Sequence, residues 1–419
     1  MTDTNDTPIH KPQRGSARAA LGVRDFRLVW FGSLGSNIGT WMQNVVLPAY
    51  VYNRTGKASV VGLLIFAQLG PLLFLSIPAG VVADRFNRKK WLVSMQVVQL
   101  SFSLALATLA LGTPPIWALF AAAFGVGIGN ALNAPAWSAM LPSLVDPQHL
   151  SGAIALNSTV INGSRVVGPI IVAVLSQVGV TTAGFFFMNA ATYLFVIFAL
   201  MMVNIPGFTP DTTQGWRRFT SGISLARQIS GVSRLLITLA TFSLFSLPYV
   251  GLFPAVAHVN FGIAEDGAVY KWLYATWGLG AALGGLAIGT KFSHRDQRKL
   301  VQYGFIGFAV SMVFFAISRS AIPAFIFGFI LGFAYFFTTT AMSIVVQSRL
   351  KPEMRGRVMS LWFMSFGGTV PLGNMLFGPI VDQYGARWLL LFGAAWALFL
   401  AWWCNVSALD AKNKFLTNK

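Results

Sequence analysis

The chain has 419 residues, of which 55% are hydrophobic and 10% charged, with a net charge of +18 and one cysteine, Cys404. Soluble domains carry roughly 25% charged residues, so this composition excludes a water-soluble fold and describes a polytopic membrane protein. A lone cysteine excludes an intrachain disulfide, there is no Cys/His cluster to hold a metal, and no GxxxxGK[ST] stretch cradles nucleotide phosphates.

A helix crosses the hydrocarbon core with about 20 apolar residues. The sequence supplies twelve such stretches: 26–52, 58–83, 91–112, 114–142, 151–178, 181–205, 235–260, 267–290, 299–318, 320–348, 357–382 and 386–407. Residues 1–25 hold Pro8, Pro12 and scattered charges, lack the apolar centre of a signal peptide, and read as a cytoplasmic tail. In the first span Asn37, Trp41, Asn44 and Pro48 follow at i, i+4, i+7 and i+11, which is one helical face. Between the second and third spans lies Gly80-Val-Val-Ala-Asp84-Arg85-Phe-Asn-Arg88-Lys89-Lys90. The fourth span places Asn130, Asn133 and Trp137 on one face, and the fifth does the same with Ser158, Asn162, Arg165 and Pro169. Pro248 and Pro254 interrupt the seventh span.

A polar side chain in a membrane span finds partners in protein or in a water-filled cavity. Arg165 is the one full charge in the middle of a span, where it costs about 2.5 kcal/mol or more. It reads either as a cavity cation for an anionic or polar substrate group, or as a strut bonded between helices. The asparagines read either as cavity lining or as helix–helix glue. In the second half Phe242, Tyr249, Tyr335 and the threonines 338–340 are weaker candidates. All twelve acids fall in tails, loops or span ends, so no mid-span carboxylate is available to carry a proton. Any proton coupling must then use Asp84 or another span-end acid, or titrate on the substrate. Of the four histidines only His258 approaches a span.

With both termini on one side, 24 of the 30 basic residues lie on that side, five lie opposite, and Arg165 is within a span. The positive-inside rule makes the basic side cytoplasmic. The net charge thus reports topology and contact with anionic lipids, not nucleic-acid binding. Six spans precede a Pro- and Thr-containing linker, 206–234, with an amphipathic helix expected around 216–230, and six follow it. The expected units are a tail 1–25, a bundle 26–205, the linker, a bundle 235–407 and a tail 408–419. The halves are internally similar: 73–86 aligns with 279–292 at an offset of 206, Asp146-Pro147 with Lys351-Pro352 at 205, and Gly168-Pro169-Ile170 with Gly378-Pro379-Ile380 at 210.

The G-x-x-x-D-R-x-x-R-K pattern between spans two and three resembles the cytoplasmic signature of the major facilitator superfamily. Asp25-Phe26-Arg27, the run 36–43 (SNIGTWMQ) and Pro78-Ala79-Gly80 resemble its bacterial drug and siderophore exporter branch. The resemblance implies an all-α membrane fold with twelve transmembrane helices in two six-helix pseudo-repeats. It implies a non-enzymatic, cofactor-free, monomeric transporter in a bacterial cytoplasmic membrane, exporting a small amphipathic or anionic compound by alternating access with protons as the coupling ion. It makes Asn37, Trp41, Asn44, Asn133, Trp137, Asn162 and Arg165 the substrate-binding candidates. Gly80, Asp84, Arg85, Arg88 and Lys89 become the gating candidates, with Asp84 docking at the start of the eleventh helix. Ala121 and Ala123 stand where antiporters of the superfamily carry an arginine, and Val172 and Ala173 replace the trailing glycines of the antiporter motif. A lipid or lysolipid transporter and a transport-dead sensor or scaffold are the alternative readings.

Overall fold

The computed structural model describes residues 16–83, 86–205, 223–229, 231–350 and 352–405. Helices occupy each of the twelve expected stretches. The first six are α1 (Arg24–Thr55), α2 (Ala58–Ala83), α3 (Arg88–Leu109), α4 (Ile116–Met140), α5 (Leu150–Gln177) and α6 (Thr182–Met202). The broken α7 runs through Val232–Phe245, Pro248–Gly251 and Phe253–Phe261. Then come α8 (Ala268–Gly289), α9 (Gln297–Ile317) and α10 (Ala321–Ser348). In α11, Pro352–Phe363 and Thr369–Tyr384 are joined by a π-turn over Met364–Gly368, and α12 is Ala386–Trp403. Among the described residues nine helices are long and apolar enough to cross a membrane. Most of the expected amphipathic helix at 216–230 lies outside the described residues.

Local chemistry sets the ends. Lipid offers no hydrogen bonds, so each apolar run closes its backbone on itself. Gly56, at φ 61°, ends α1 in the left-handed region that favours glycine. The side chain of Asn87 caps α3 by accepting from Lys90 N at 3.1 Å. Asp296 caps α9 and takes two further bonds from the Arg298 guanidinium, at 2.9 and 3.0 Å, which hold its carboxyl below the usual range. The breaks in α7 fall just before Pro248 and Pro254, which cannot donate to the preceding turn.

The helices pack as two bundles. In the first, α1 lies against α5 and α6, α2 against α4, and α3 against α4 and α6; in the second, α10 lies between α8 and α9, with α12 against α9. Two helix pairs join the bundles, α2 with α11 and α5 with α8. These pairs are equivalent under the internal repeat, which matches Gly168-Pro169 of α5 to Gly378-Pro379 of α11. Backbones touch at these seams. A Cβ on Gly378 would meet Ser59 Cα at 2.7 Å, and one on Gly62 would collide with the Asn374 carbonyl. Phe195, Phe198, Trp388 and Trp402 are exposed on the outer faces, as suits a lipid-facing surface.

The first bundle is tied internally by a buried polar cluster. Asn189 of α6 donates to Gln43 Oε1 of α1 at 2.8 Å, and Ser103 of α3 donates to the same oxygen at 3.2 Å. All three side chains are fully buried. Gln43→Leu keeps the volume but removes the shared acceptor, leaving Asn189 with Ser103 Oγ at 3.2 Å and Ser103 with the more distant Phe186 carbonyl at 3.5 Å, so we expect unfolding in detergent to show a loss of about 1–2 kcal/mol. Unchanged stability would contradict a structural role for this cluster.

Candidate functional site

Arg165 sits midway along α5, on the seam with α8, where its carbonyl lies 3.0 Å from the Cβ position of Gly278. Its guanidinium carbon is 5.1 Å from the ring centre of Trp41 on α1 and 4.8 Å from that of Phe336 on α10. One stacking ring therefore comes from each bundle. Arg165 Nε is buried without a hydrogen-bond partner, and no described carboxylate lies within ion-pair distance. The tyrosines Tyr274 and Tyr335 lie within electrostatic reach. Tyr335 stacks on Trp277 at 6.0 Å and on Phe366 at 6.2 Å, and Trp277 donates to the Tyr249 hydroxyl at 3.0 Å. An unpaired cation flanked by aromatic faces is suited to hold an anionic group that also carries apolar surface.

The other expected binding residues divide. Trp41 belongs to this centre. Asn37 turns back on its own helix, donating to the Ser33 carbonyl at 2.9 Å, and Asn162 does the same with Ser158 at 2.9 Å. Asn44 accepts from Gln68 of α2 at 2.9 Å, and Asn133 accepts from Gln96 of α3 at 3.4 Å. These two therefore bond between helices of the first bundle. Trp137 packs against the apolar cluster around Phe26, Leu92 and Met140. The aromatic wall of Tyr274, Trp277 and Phe336 was not among the expected residues, because one aromatic among 36 Phe and 13 Trp carries little signal.

Of the expected gating residues, Gly80 lies in α2, while Asp84 and Arg85 fall outside the described residues. Arg88 begins α3. Lys89 donates to the carbonyls of Met201 and Val203, both at 2.8 Å, and so caps the end of α6 within its own bundle.

The end of the molecule away from most of the basic residues is closed. There the Asp382 carboxylate, at the end of α11, accepts from Ala58 N at 2.6 Å and from Ser59 N at 3.0 Å. One bundle thus caps the first helix turn of α2 in the other. Nearby, Asn53 of α1 donates to Glu265 at 3.3 Å, and Tyr52 meets the His258 ring at 5.7 Å. Among the described residues, the hydrogen bonds that join the bundles all lie at this end. A helix cap contributes about 1 kcal/mol, which is about fivefold in the ratio of closed to open. We expect Asp382→Ala to lower the closed-to-open ratio read from cross-linking between Lys57→Cys and Tyr384→Cys, in a Cys404→Ala background, by about that factor. An undiminished yield would show that the cap does not hold this end shut.

The profile of the transmembrane secretion effector family matches residues 15–415. Macrolide efflux protein A of Streptococcus pyogenes is 25% identical over 391 residues, covering 88% of this chain and 92% of the relative. The staphyloferrin A transporter of Staphylococcus aureus is 25% identical over 360 residues (83% and 87%), and the enterobactin exporter EntS of Escherichia coli O1:K1 / APEC is 26% identical over 346 (80% and 80%). In three dimensions the chain is similar to a variant of the nucleoside transporter NupG, with TM-score 0.75 at 12% identity over 92% of this chain and all of that one. A bacterial homolog of the human lysosomal transporter Spinster follows at TM-score 0.72 and 16% identity, covering 93% and 97%. Two packed helical bundles, the seams between them and a match over nearly the whole length agree: this chain is a major facilitator transporter, not an enzyme, and belongs to the transmembrane secretion effector family.

Proposed function

We propose that the protein exports a small anionic, partly aromatic or apolar compound across a bacterial cytoplasmic membrane by alternating access, with protons as the coupling ion. The observation that carries this reading is Arg165, a cation without a carboxylate partner among the described residues, held between Trp41 of one bundle and Phe336 of the other. A ligand bound there touches both halves and so binds the two states of the transporter differently, which is what a transport cycle requires. The names of the relatives, two of which are siderophore transporters, support the same substrate class.

The orientation follows from charge. The basic end faces the cytoplasm, both termini lie there, and the end closed by Asp382 faces outward. The conformation is then inward-facing, ready to load from the cytoplasm. Asp382, in the last turn of α11, caps the start of α2 in the present state. The expected docking of Asp84, which follows α2 in the sequence, at the start of α11 would be its counterpart in the outward-facing state.

The test is binding to the purified protein, with enterobactin, staphyloferrin A and a macrolide as probes. Arg165→Gln keeps polarity and removes charge. A charged hydrogen bond is worth about 1.5–3 kcal/mol, so an anionic siderophore should bind about 10- to 100-fold more weakly while the melting temperature stays near that of the wild type. Arg165→Lys should restore only part, since Lys lacks the planar fork. A macrolide whose amine is cationic should lose little. A glutamine variant that misfolds, or that binds the siderophores normally, makes Arg165 a strut between helices.

A further inference from the structure

The first bundle brings a guanidinium to the centre of the molecule, and the second bundle brings two phenols to meet it. On α10, Tyr335 directly precedes Phe336, the ring that stacks on Arg165. On α8, Tyr274 lies one helical turn before Gly278, whose Cβ position is 3.0 Å from the Arg165 carbonyl. Both tyrosines are buried, and both lie within electrostatic reach of Arg165. Among the described residues, neither hydroxyl makes a hydrogen bond, and neither does the Arg165 guanidinium. We propose that Tyr274 and Tyr335 are substrate-binding residues, donating hydrogen bonds to the same oxyanion that Arg165 holds. The group they select is planar with two adjacent oxygens, as a carboxylate or a catecholate is. This rests on the anionic-substrate reading above and deepens it by naming the chemical form of the anion.

The two rings are fixed while their hydroxyls are left over. Tyr335 stacks on Trp277 and on Phe366, and meets Phe336 edge-on at 4.6 Å. Phe366 belongs to the π-turn of α11, a local break of the kind that recurs at functional sites. Tyr274 meets Trp277 edge-on at 5.4 Å and Phe253 at 5.0 Å. A buried phenol ordinarily finds a partner, and other buried tyrosines here do. The Tyr249 hydroxyl accepts from Trp277, and the Tyr193 hydroxyl lies 3.5 Å from that of Thr40. Tyr270, a turn further out on α8, is unpaired as well, but its oxygen is fully enclosed. The oxygens of Tyr274 and Tyr335 are not enclosed, so a ligand beside Arg165 can reach them.

Counting donors against acceptors shows what fits. A carboxylate offers about four lone-pair sites. A guanidinium fork takes two of them. An acceptor left unpaired after leaving water carries its full desolvation cost. Two phenol O–H groups supply the missing donors and add no charge, so they complete the cradle without cancelling Arg165. An ammonium or an amide NH2 placed there would face the N–H groups of Arg165 and find no strong acceptor. The donors also come from opposite halves: Arg165 stands on the first bundle, and Tyr274 and Tyr335 on the second. One oxyanion therefore bridges the bundles, and its binding responds to their movement.

The test is titration calorimetry on the full chain in lipid nanodiscs, with enterobactin, staphyloferrin A and naphthoate as probes and naphthamide as the uncharged match. Tyr274→Phe and Tyr335→Phe should each weaken the anionic probes about tenfold, the lower end for a hydrogen bond to a charged group. Their melting temperatures should stay at the wild-type value, because the rings remain and no hydrogen bond within the protein is lost. In an Arg165→Gln background the same changes should cost less than about threefold, since groups that share one ligand atom set are not additive. Naphthamide should bind the wild type at least about tenfold more weakly than naphthoate, having lost the charged hydrogen bonds. Phenylalanine variants that bind every anionic probe normally, beside an Arg165→Gln variant that has lost them, overturn the phenol cradle and leave the anion at Arg165 standing. Full additivity with Arg165→Gln overturns it too, and so does a phenylalanine variant that loses stability, which makes that hydroxyl a structural group. Anionic probes that do not bind the wild type at all overturn the anionic-substrate reading together with the cradle.

Discussion

A guanidinium in the middle of an apolar bundle is the constraint around which the rest of this molecule is arranged. Arg165 cannot shed its charge and cannot reach water along the lipid face, so the protein surrounds it with polarisable rings. Trp41 and Phe336 supply attraction through their faces without cancelling the charge. A carboxylate in their place would neutralise Arg165 permanently and leave nothing for a ligand. Because the two rings come from different bundles, the electrostatic centre of the protein is also its mechanical midpoint. The repeat sharpens this: at the offset of 210 that matches Gly168 to Gly378, the counterpart of Arg165 is Met375. The pseudo-symmetric seams are therefore chemically unequal, with a mid-span charge on the α5–α8 seam alone.

The seams themselves are built for sliding contact. Small residues at Gly62 and Gly378 let α2 and α11 touch through backbone, and such contacts gain dispersion without committing side chains to one register. In the proposed alternating-access cycle, what selects a state is a small number of polar contacts at the rims. The Asp382 carboxylate on the first amides of α2 and the Asn53–Glu265 bond do this at one end. Each is worth about 1 kcal/mol, comparable to what a ligand must supply to shift a balanced equilibrium. A rim held by stronger contacts would trap the carrier in one state.

Much of the architecture was legible in the sequence, because lipid removes alternatives. Twelve apolar runs can only be helices there, and the prolines at 248 and 254 mark the breaks in α7 that the structure contains. Arg165 and Trp41 were legible as a charge and a ring on polar stripes. The partners were not. Helical spacing gives the face on which Asn44 and Asn133 lie, but Gln68 and Gln96, which bond them, sit on neighbouring helices whose rotation no single stripe reveals. Glu265 was hidden for a related reason. A loop acid between two spans reads as solvated, and the approach of Asn53, from more than two hundred residues away, helps to bury it.

The central claim is that a negative group on the transported compound is held at Arg165 between two aromatic faces that belong to opposite bundles. A structure of the full-length protein in lipid with an anionic siderophore bound tests it most directly. The account predicts the ligand's charged oxygens within hydrogen-bonding distance, about 3 Å, of the Arg165 guanidinium, with its apolar part against Trp41 and Phe336. A ligand bound elsewhere, with Arg165 still stacked between its two rings, would contradict it.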